Sequence, residues 1–241
     1  MIETRNLRKY FGGVKAVDDV SMKIPKGKIT ALIGPNGSGK TTFFNLISGI
    51  IKADKGRIIL DKEDISLLKD FERSKKGISR TFQKVKLFEN LTIEENFLIA
   101  LENDLKIVKK IFSKNQDFSK KIKNILNKFD IDKNISTEVK NLSYGQRKLL
   151  DIGIGFAKPH KILLLDEPVS GVNPKIRKKI KDIFLDLKEK GETIVVIEHN
   201  MEFVMGIADK VICLQEGKII FEGKPQDAQK SKKVLEAYLG K

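Results

Sequence analysis

The nine residues GPNGSGKTT, Gly34 to Thr42, constrain this chain more than any other stretch. They fit the pattern G-x-x-x-x-G-K-[ST] without a mismatch. The apolar, β-forming run KITALIG precedes them, and the helix-like TTFFNLISGI follows. Strand, glycine loop and helix in direct succession turn a loose pattern into a specific one. The glycines let backbone N–H groups converge on phosphate oxygens, assisted by the helix N-terminus. Lys40 supplies a charge for the outer phosphates, and the Thr41 hydroxyl can ligate Mg²⁺. A plain glycine turn capping a helix requires neither the Lys nor the spacing. The expected nucleotide-binding residues are therefore Gly34, Pro35, Asn36, Gly37, Ser38, Gly39, Lys40, Thr41 and Thr42, and the expected ligand is a nucleoside triphosphate.

Composition excludes several other classes. Of the 241 residues, 33% are charged and 40% hydrophobic, as in a globular chain rather than a disordered one. The length suits one α/β domain with an inserted lobe. No apolar stretch approaches the roughly 18–20 residues that cross a bilayer. The opening MIETRNLRKYF has no signal-peptide core, so the expected location is cytoplasmic. Cys213 in KVICL is the single cysteine, which rules out an intrachain disulfide and reads as a buried strand residue. The net charge of +15 invites a nucleic-acid reading. Two features oppose it: only seven of the 47 basic residues are Arg, and the densest basic run, 113–134, carries Phe and Ile at helical spacing. No nucleic-acid partner is expected; the excess charge reads as composition, or as attraction to anionic lipid and the site's own phosphates.

Along the chain, GRIIL (Gly56–Leu60) and GISRTF (Gly77–Phe82) read as further strands. From Thr92 the apolar period becomes helical, opening with a Thr92–Glu95 capping box, and helical sequence is expected to continue to about Gly155. KILLLDEP, ETIVVIEHN and KVICLQEGKIIFEG return to strands. Between the first two lies the helix NPKIRKKIKDIFLDLKEKG, with Pro174 in its first turn and Gly191 just past its end. Alternating strands and helices imply a largely parallel central sheet.

Asp166 and Glu167 end the apolar strand KILLLDEP, and His199 follows the apolar VVI of the next. Ligands of open parallel sheets sit at the carboxyl ends of the strands. There one acid can hold the water shell of a metal, a second can polarise an attacking water, and a histidine can donate to a γ-phosphate. Without the phosphate loop, these would read as a solvated acidic pair and a surface histidine. His160 precedes its strand and lies at the opposite edge, so it reads as structural.

LSYGQRKLL, Leu142 to Leu150, poses a separate puzzle. Ser143 and Gln146 form a capping box, yet Gly145 in a first helical turn costs roughly 1 kcal/mol against Ala.

Taken together, these residues resemble the ATP-binding subunit of ABC transporters over essentially the whole chain. GPNGSGKTT matches that family's Walker A, ILLLDE its Walker B and LSYGQ its signature; TFQ with Gln83 resembles the Q-loop, and His199 the switch histidine. Phe11 falls where the family stacks an aromatic ring on adenine, with Tyr10 the neighbouring candidate. The resemblance implies a P-loop ABC ATPase fold, with a mostly parallel sheet core, an antiparallel β lobe and a helical insertion. Residues 1–87 and 156–241 would form the RecA-like core with its β subdomain, and 88–155 the helical subdomain. It implies ATP and Mg²⁺ as ligands, Glu167 and His199 as catalytic, and Thr41, Gln83 and, through water, Asp166 at the metal. It also implies a head-to-tail pair of ATPase subunits, identical or different. Ser143, Tyr144, Gly145 and Gln146 would then face the partner's ATP, and Gly145 would allow the close approach that a Cβ blocks.

RTFQKVKLFENLTIEEN, the Tyr of LSYGQ, SGVNP, IEHNMEFVMGIADKV and the ending VLEAYLG are similar to the branched-chain amino acid uptake subfamily. That family works with two transmembrane permeases and an extracytoplasmic solute-binding protein, at the cytoplasmic face of the membrane as a peripheral subunit. Exporters of lipopolysaccharide share the closing Tyr-Leu-Gly and are one alternative. A soluble ABC ATPase without a transporter is the other. Three departures stand out: Asn173 where an aspartate is usual, Gly153 and Gly155 inside a predicted helix, and an insertion shorter than the subfamily's.

Overall fold

The computed structural model describes residues 2–101 and 116–239. Its frame is a six-stranded sheet of order β10-β9-β3-β8-β7-β6. β3 (Ile29–Ile33), β6 (Ile78–Arg80), β7 (Ile162–Asp166), β8 (Ile194–Ile197) and β9 (Lys210–Gln215) run parallel, and β10 (Lys218–Gly223) closes one edge as an antiparallel hairpin with β9. A second, antiparallel sheet has the order β2-β1-β4-β5, from β1 (Ile2–Phe11), β2 (Val14–Ile24), β4 (Lys55–Leu60) and β5 (Glu63–Asp64). Sequence pattern missed β1 and β2. Register shifts between Thr4 and Tyr10 break the period-2 alternation on which strand reading depends.

Strand alternation sorts the buried residues into two cores. Ile29, Ala31 and Ile33 of β3 face one side, with Leu163, Leu165, Ile194 and Val196. Leu32 faces the other, with Leu164, Val195, Ile197 and Ile212. The second side holds α1 (Lys40–Ser48) through Phe43, Phe44 and Leu46, and the antiparallel sheet through Ile2, Leu7 and Val20. The first side holds the remaining long helices: α3 (Ile93–Leu101), α4 (Gln116–Lys128), α5 (Tyr144–Ala157) and α6 (Pro174–Glu189). Between α1 and α3 lies the short α2 (Asp70–Lys75), whose buried Arg73 donates to the carbonyls of Leu46, Ile47, Ser66 and Leu68. That guanidinium caps the C-terminus of α1, where cations are favoured.

The predominantly helical sequence expected from Thr92 to about Gly155 is interrupted, among the described residues, between α4 and α5. Residues 129–143 contain one 3-10 turn, Val139–Asn141, and no α-helix. An isolated Thr92–Glu138 bridge and the bonds Ile93 N–H to Thr137 O and Val139 N–H to Leu91 O tie this connection to the start of α3. Residues 102–112 of the helix expected from Thr92 lie outside the described residues, as do 113–115 of the lysine-rich run. Residues 116–128 of that run form α4, whose Phe118, Ile122, Ile125 and Leu126 are buried while Lys120, Lys121 and Lys123 face solvent. It is an ordinary amphipathic helix.

Gly153 and Gly155 have a packing cause. A Cβ on Gly153 would sit 3.2 Å from Ile125 Cγ2 of α4, and one on Gly155 would sit 2.9 Å from Thr81 Cγ2. The Gly155 carbonyl also accepts the Ser79 hydroxyl at 2.7 Å. These glycines let α5 lie against a neighbouring helix on one side and the β6 strand on the other.

Candidate functional site

The phosphate loop and the loops carrying Gln83, Glu167 and His199 leave the carboxyl ends of the parallel strands β3, β6, β7 and β8. β3 is buried throughout and runs directly into Gly34. Gly39, the N-cap of α1, has φ 102, and a Cβ there would come within 2.1 Å of the Ala16 carbonyl. Only glycine fits. That contact sets the β1–β2 hairpin against the loop. At its mouth Phe11 is 49% exposed, whereas the Tyr10 hydroxyl is committed to Asp18 Oδ1 at 2.6 Å. Of the two aromatic candidates, Phe11 is the more exposed, with Lys9 Nζ 5.4 Å from its ring centroid.

The Lys40 ammonium folds back into the loop, donating to the carbonyls of Gly34 and Pro35, both at 2.8 Å, and to Ser38 Oγ at 3.3 Å. Burial lowers its pKa, and the carboxylates of Glu167 and Asp166 pull in the opposite direction. It is a desolvated cation held by oxygen acceptors, the kind a phosphate offers. Thr41 is exposed beside it. Pro35, Asn36, Gly37 and Ser38 lie on this turn and Thr42 in the first turn of α1; Gly217 N–H donates to the Ser38 carbonyl at 3.1 Å and braces the loop.

Two strands away, Asp166 ends β7 as a buried side chain. Burial raises its pKa, and the buried guanidinium of Arg80, 3.4 Å away, holds it down. Arg80 is itself fixed by Asn45 Oδ1 at 2.7 Å and Ser48 Oγ at 2.9 Å, both from α1. Glu167 then takes φ +48, the left-handed region that a residue with a Cβ rarely adopts. Such strain persists where surrounding contacts over-determine it. Here Glu167 N–H donates to the Ile197 carbonyl at 3.0 Å, and the turn swings the side chain to meet two other loops. His199 Nε2 lies 3.0 Å from Oε1, and Gln83 Nε2 donates to Oε2 at 2.8 Å. Asp166, Glu167, His199, Gln83 and Lys40 thus meet at one sheet edge. His160 sits elsewhere, with Nδ1 2.7 Å from the Lys158 carbonyl and Nε2 3.1 Å from Glu192.

The signature stretch opens α5. Both halves of the Ser143–Gln146 capping box form, Gln146 N–H to Ser143 Oγ at 3.3 Å and Ser143 N–H to Gln146 Oε1 at 2.9 Å. Tyr144 is half-exposed and reaches the Ser170 carbonyl at 3.4 Å. Gly145 has an intramolecular reason beside the expected one, since its Cβ would press on Ile176 Cγ1 at 3.0 Å. Among the described residues, no hydrogen bond joins Ser143–Gln146 to the Gly34–Thr42 loop of the same chain. Asn173 N-caps α6, its Oδ1 accepting Ile176 N–H at 2.9 Å, so the amide serves a local purpose that needs no charge.

The comparisons with known proteins agree with this geometry. The family described as ABC transporter matches residues 17–170. The chain belongs to the ABC transporter family. It is 37% identical to the probable branched-chain amino acid transport ATP-binding protein LivG of Archaeoglobus fulgidus, over 100% of this chain and 95% of that protein. The lipopolysaccharide export system ATP-binding protein LptB of Haemophilus influenzae is 33% identical, over 100% of this chain and 97% of that one. Among solved structures, a nucleotide-free ATP-binding cassette from an ABC transporter superposes with a TM-score of 0.89 at 35% identity, covering 100% and 99% of the two chains. A dimeric ATP-binding cassette in a post-hydrolysis state, bound to ADP and Pi, superposes with a TM-score of 0.79 at 25% identity, covering 93% and 99%. This ABC ATPase therefore binds ATP and hydrolyses it as the nucleotide-binding subunit of a transporter.

Around this site of the ABC ATPase, sequence reading passed over the buried charges of Arg80, Lys148 and Glu198. Lys148, 1% exposed, donates from α5 to the Gln83 carbonyl at 3.0 Å. A charged residue inside an otherwise apolar helical or strand pattern was the available signal, and lysine abundance masked it.

Proposed function

We propose that this ABC ATPase powers an importer of branched-chain or other hydrophobic amino acids, with Glu167 and His199 as its hydrolytic pair. The Glu167 carboxylate, held between His199 and Gln83, carries the catalytic reading. An acid so placed can orient and polarise a water aimed at the γ-phosphate of ATP, while His199 donates to that phosphate. Lys40 exchanges its loop carbonyls for phosphate oxygens, and Phe11 stacks on adenine. Thr41, Gln83 and, through water, Asp166 hold Mg²⁺. Their hydroxyl, amide oxygen and single carboxylate are hard donors too few for a full cage, which fits a cation completed by water and phosphate. When bound, that ion neutralises charge developing on the phosphate oxygens.

Ser143, Tyr144, Gly145 and Gln146 act on the ATP of a second ABC ATPase subunit, identical or different, in a head-to-tail pair. Two observations support this: a capped helix N-terminus at an exposed surface, and, among the described residues, no in-chain bond from it to the phosphate loop. Residues 1–87 with 156–241 form the core with its β subdomain, and 88–155 the helical subdomain. Among the described residues no helix is long and apolar enough to cross a membrane. The translocation path then belongs to two transmembrane permeases, and the ATPase sits against them on the cytoplasmic face. A groove of about 260 Å³ beside the Q-loop, lined by Phe82, Leu87, Phe88 and Ile99, is a surface of suitable chemistry for them. An extracytoplasmic solute-binding protein completes the importer.

The LptB relative favours a second reading, the ATPase of a lipopolysaccharide-type exporter. Co-purification in detergent followed by reconstitution separates the two. ATP-dependent uptake of labelled leucine, with a binding protein among the partners, supports import. Partners that move lipid outward, with no amino acid uptake, support export. A subunit that copurifies with no membrane protein would overturn both.

A further inference from the structure

Glu198 follows β8 directly, is 3% exposed, and has no part in the reading above. Both of its carboxylate oxygens accept backbone bonds. Oε1 takes Val169 N–H at 3.0 Å, from the loop that follows Glu167. Oε2 takes the N–H groups of His199 at 3.2 Å and Asn200 at 3.4 Å. One buried carboxylate thus joins the loop carrying Glu167 to the loop carrying His199. Burial pushes its pKa up, and those N–H donors, which favour the charged form, pull it down. A buried acid is costly unless its acceptors are filled, and here they are filled from two directions.

The turn it anchors is the strained one. Glu167 holds φ +48, and nearby constraints on that turn are Glu167 N–H to Ile197 O, Ser170 N–H to Glu167 O at 3.2 Å, and Val169 N–H to Glu198. We propose that Glu198 is a positioning residue that fixes the strained turn at Glu167 and aims the His199 loop, so that the two side chains meet. The inference rests on the proposed roles of Glu167 and His199. It requires a carboxylate and not merely a side chain of that shape. A glutamine accepts at one atom only, and its NH₂ would confront either Val169 N–H or the His199 and Asn200 pair. An aspartate keeps two acceptors on a shorter stem.

The test compares Glu198→Gln, Glu198→Asp and Glu167→Gln in the full chain, assembled as for wild-type turnover. Expected for Glu198→Gln are a kcat lowered roughly 10- to 100-fold, the scale on which misplacing a reacting group slows an enzyme, and an ATP Kd within about twofold of wild type. Amide exchange at Val169 or at His199 and Asn200 should quicken, and Glu198→Asp should recover part of kcat. A merely structural role would instead lower the melting temperature and the fraction of chain that binds ATP, with normal turnover per bound site; that overturns the proposal. So does an unchanged kcat in a folded Glu198→Gln protein. If that variant does not fold, exchange in the wild type decides: a slow Val169 amide supports the tie, and a fast one overturns it. Normal turnover by Glu167→Gln would sink the catalytic reading itself; coordinated loosening at Val169 and His199 in Glu198→Gln would still support the tie, and its absence would overturn it.

Discussion

Nε2 of His199 lies 3.0 Å from Oε1 of Glu167, across two adjacent parallel strands whose ends are locked by the Glu167 N–H to Ile197 O bond. The other oxygen of Glu167 is taken by Gln83, from a third strand end. One carboxylate therefore registers the position of three loops. Displacing any one of them alters the acid that faces the γ-phosphate in the proposed mechanism.

Glu167→Gln keeps the shape and removes the charge and basicity. Hydrolysis should fall by roughly 100-fold or more, with ATP affinity retained. Closed, ATP-bound dimers should accumulate and elute early in size-exclusion chromatography. Steady turnover near the parent rate would exclude Glu167 as the acting base.

Lys40→Ala removes a charge-assisted contact to phosphate worth about 1.5–3 kcal/mol, or roughly 10- to 100-fold in affinity. Its present partners are loop carbonyls that phosphate oxygens can replace, so the loss should appear in nucleotide binding rather than in folding. Thr41→Ala should mainly raise the Mg²⁺ concentration needed for half-maximal binding. Titration with labelled ATP reads both; unchanged affinity in Lys40→Ala would remove Gly34–Thr42 as the phosphate site.

Asp151 gives a pH dependence of stability. Burial against the groove beside the Q-loop pushes its pKa from 3.8 up to about 6, and Lys148 opposes the shift. Between those values the folded chain binds more protons than the unfolded one, so stability falls as pH rises through the window and stays lowered above it. Its Oδ2 is buried without a hydrogen-bond partner, and a shift of this size corresponds to about 1–3 kcal/mol. Asp151→Asn should flatten the pH 4–6 portion of the urea-unfolding profile and raise stability at neutral pH. A profile identical to wild type would show that Asp151 ionises freely.

The parts of the fold that were legible in sequence are those whose signal is local. Capping at Thr92 and Ser143, the Pro174 and Gly191 punctuation of α6, and the apolar runs of β3, β7, β8 and β9 all declare themselves within a few residues. The phosphate loop and the residues at strand ends were readable for the same reason. What escaped depends on partners distant in sequence. Arg80 meets Asp166 at 86 residues' remove, and Glu198 meets Val169 at 29. Gly155 looks like a helix defect until Thr81 is seen against it, because helix propensity carries no information about what the helix touches. Gly145 shows the converse: its expected role concerns a second chain, and its observed contact is with Ile176 of its own.

That contact decides how the signature should be tested. Gly145→Asp would push on Ile176 as well as on a partner's phosphate, so loss of activity would have two causes. Ser143→Arg is cleaner, since Ser143 is exposed and, among the described residues, its hydroxyl accepts the Gln146 N–H alone. Losing that cap costs about 1 kcal/mol, too little to unfold a domain of this size. Ser143→Arg should therefore bind ATP normally as a monomer yet fail to close and turn over, with a bulky cation in the γ-phosphate seat. Mixing it with Lys40→Ala chains, defective in their own loop but intact in their signature, allows one complete site per mixed dimer. Partial recovery of ATPase activity on mixing is the expected outcome, provided the subunit pairs with itself; where its mate is a different ATPase, Lys40→Ala is replaced by the equivalent phosphate-loop variant of that mate. Full activity of Ser143→Arg alone would leave Ser143 a helix cap and nothing more. A folded Ser143→Arg monomer unable to bind ATP would place the signature in the same chain's site, against the trans arrangement.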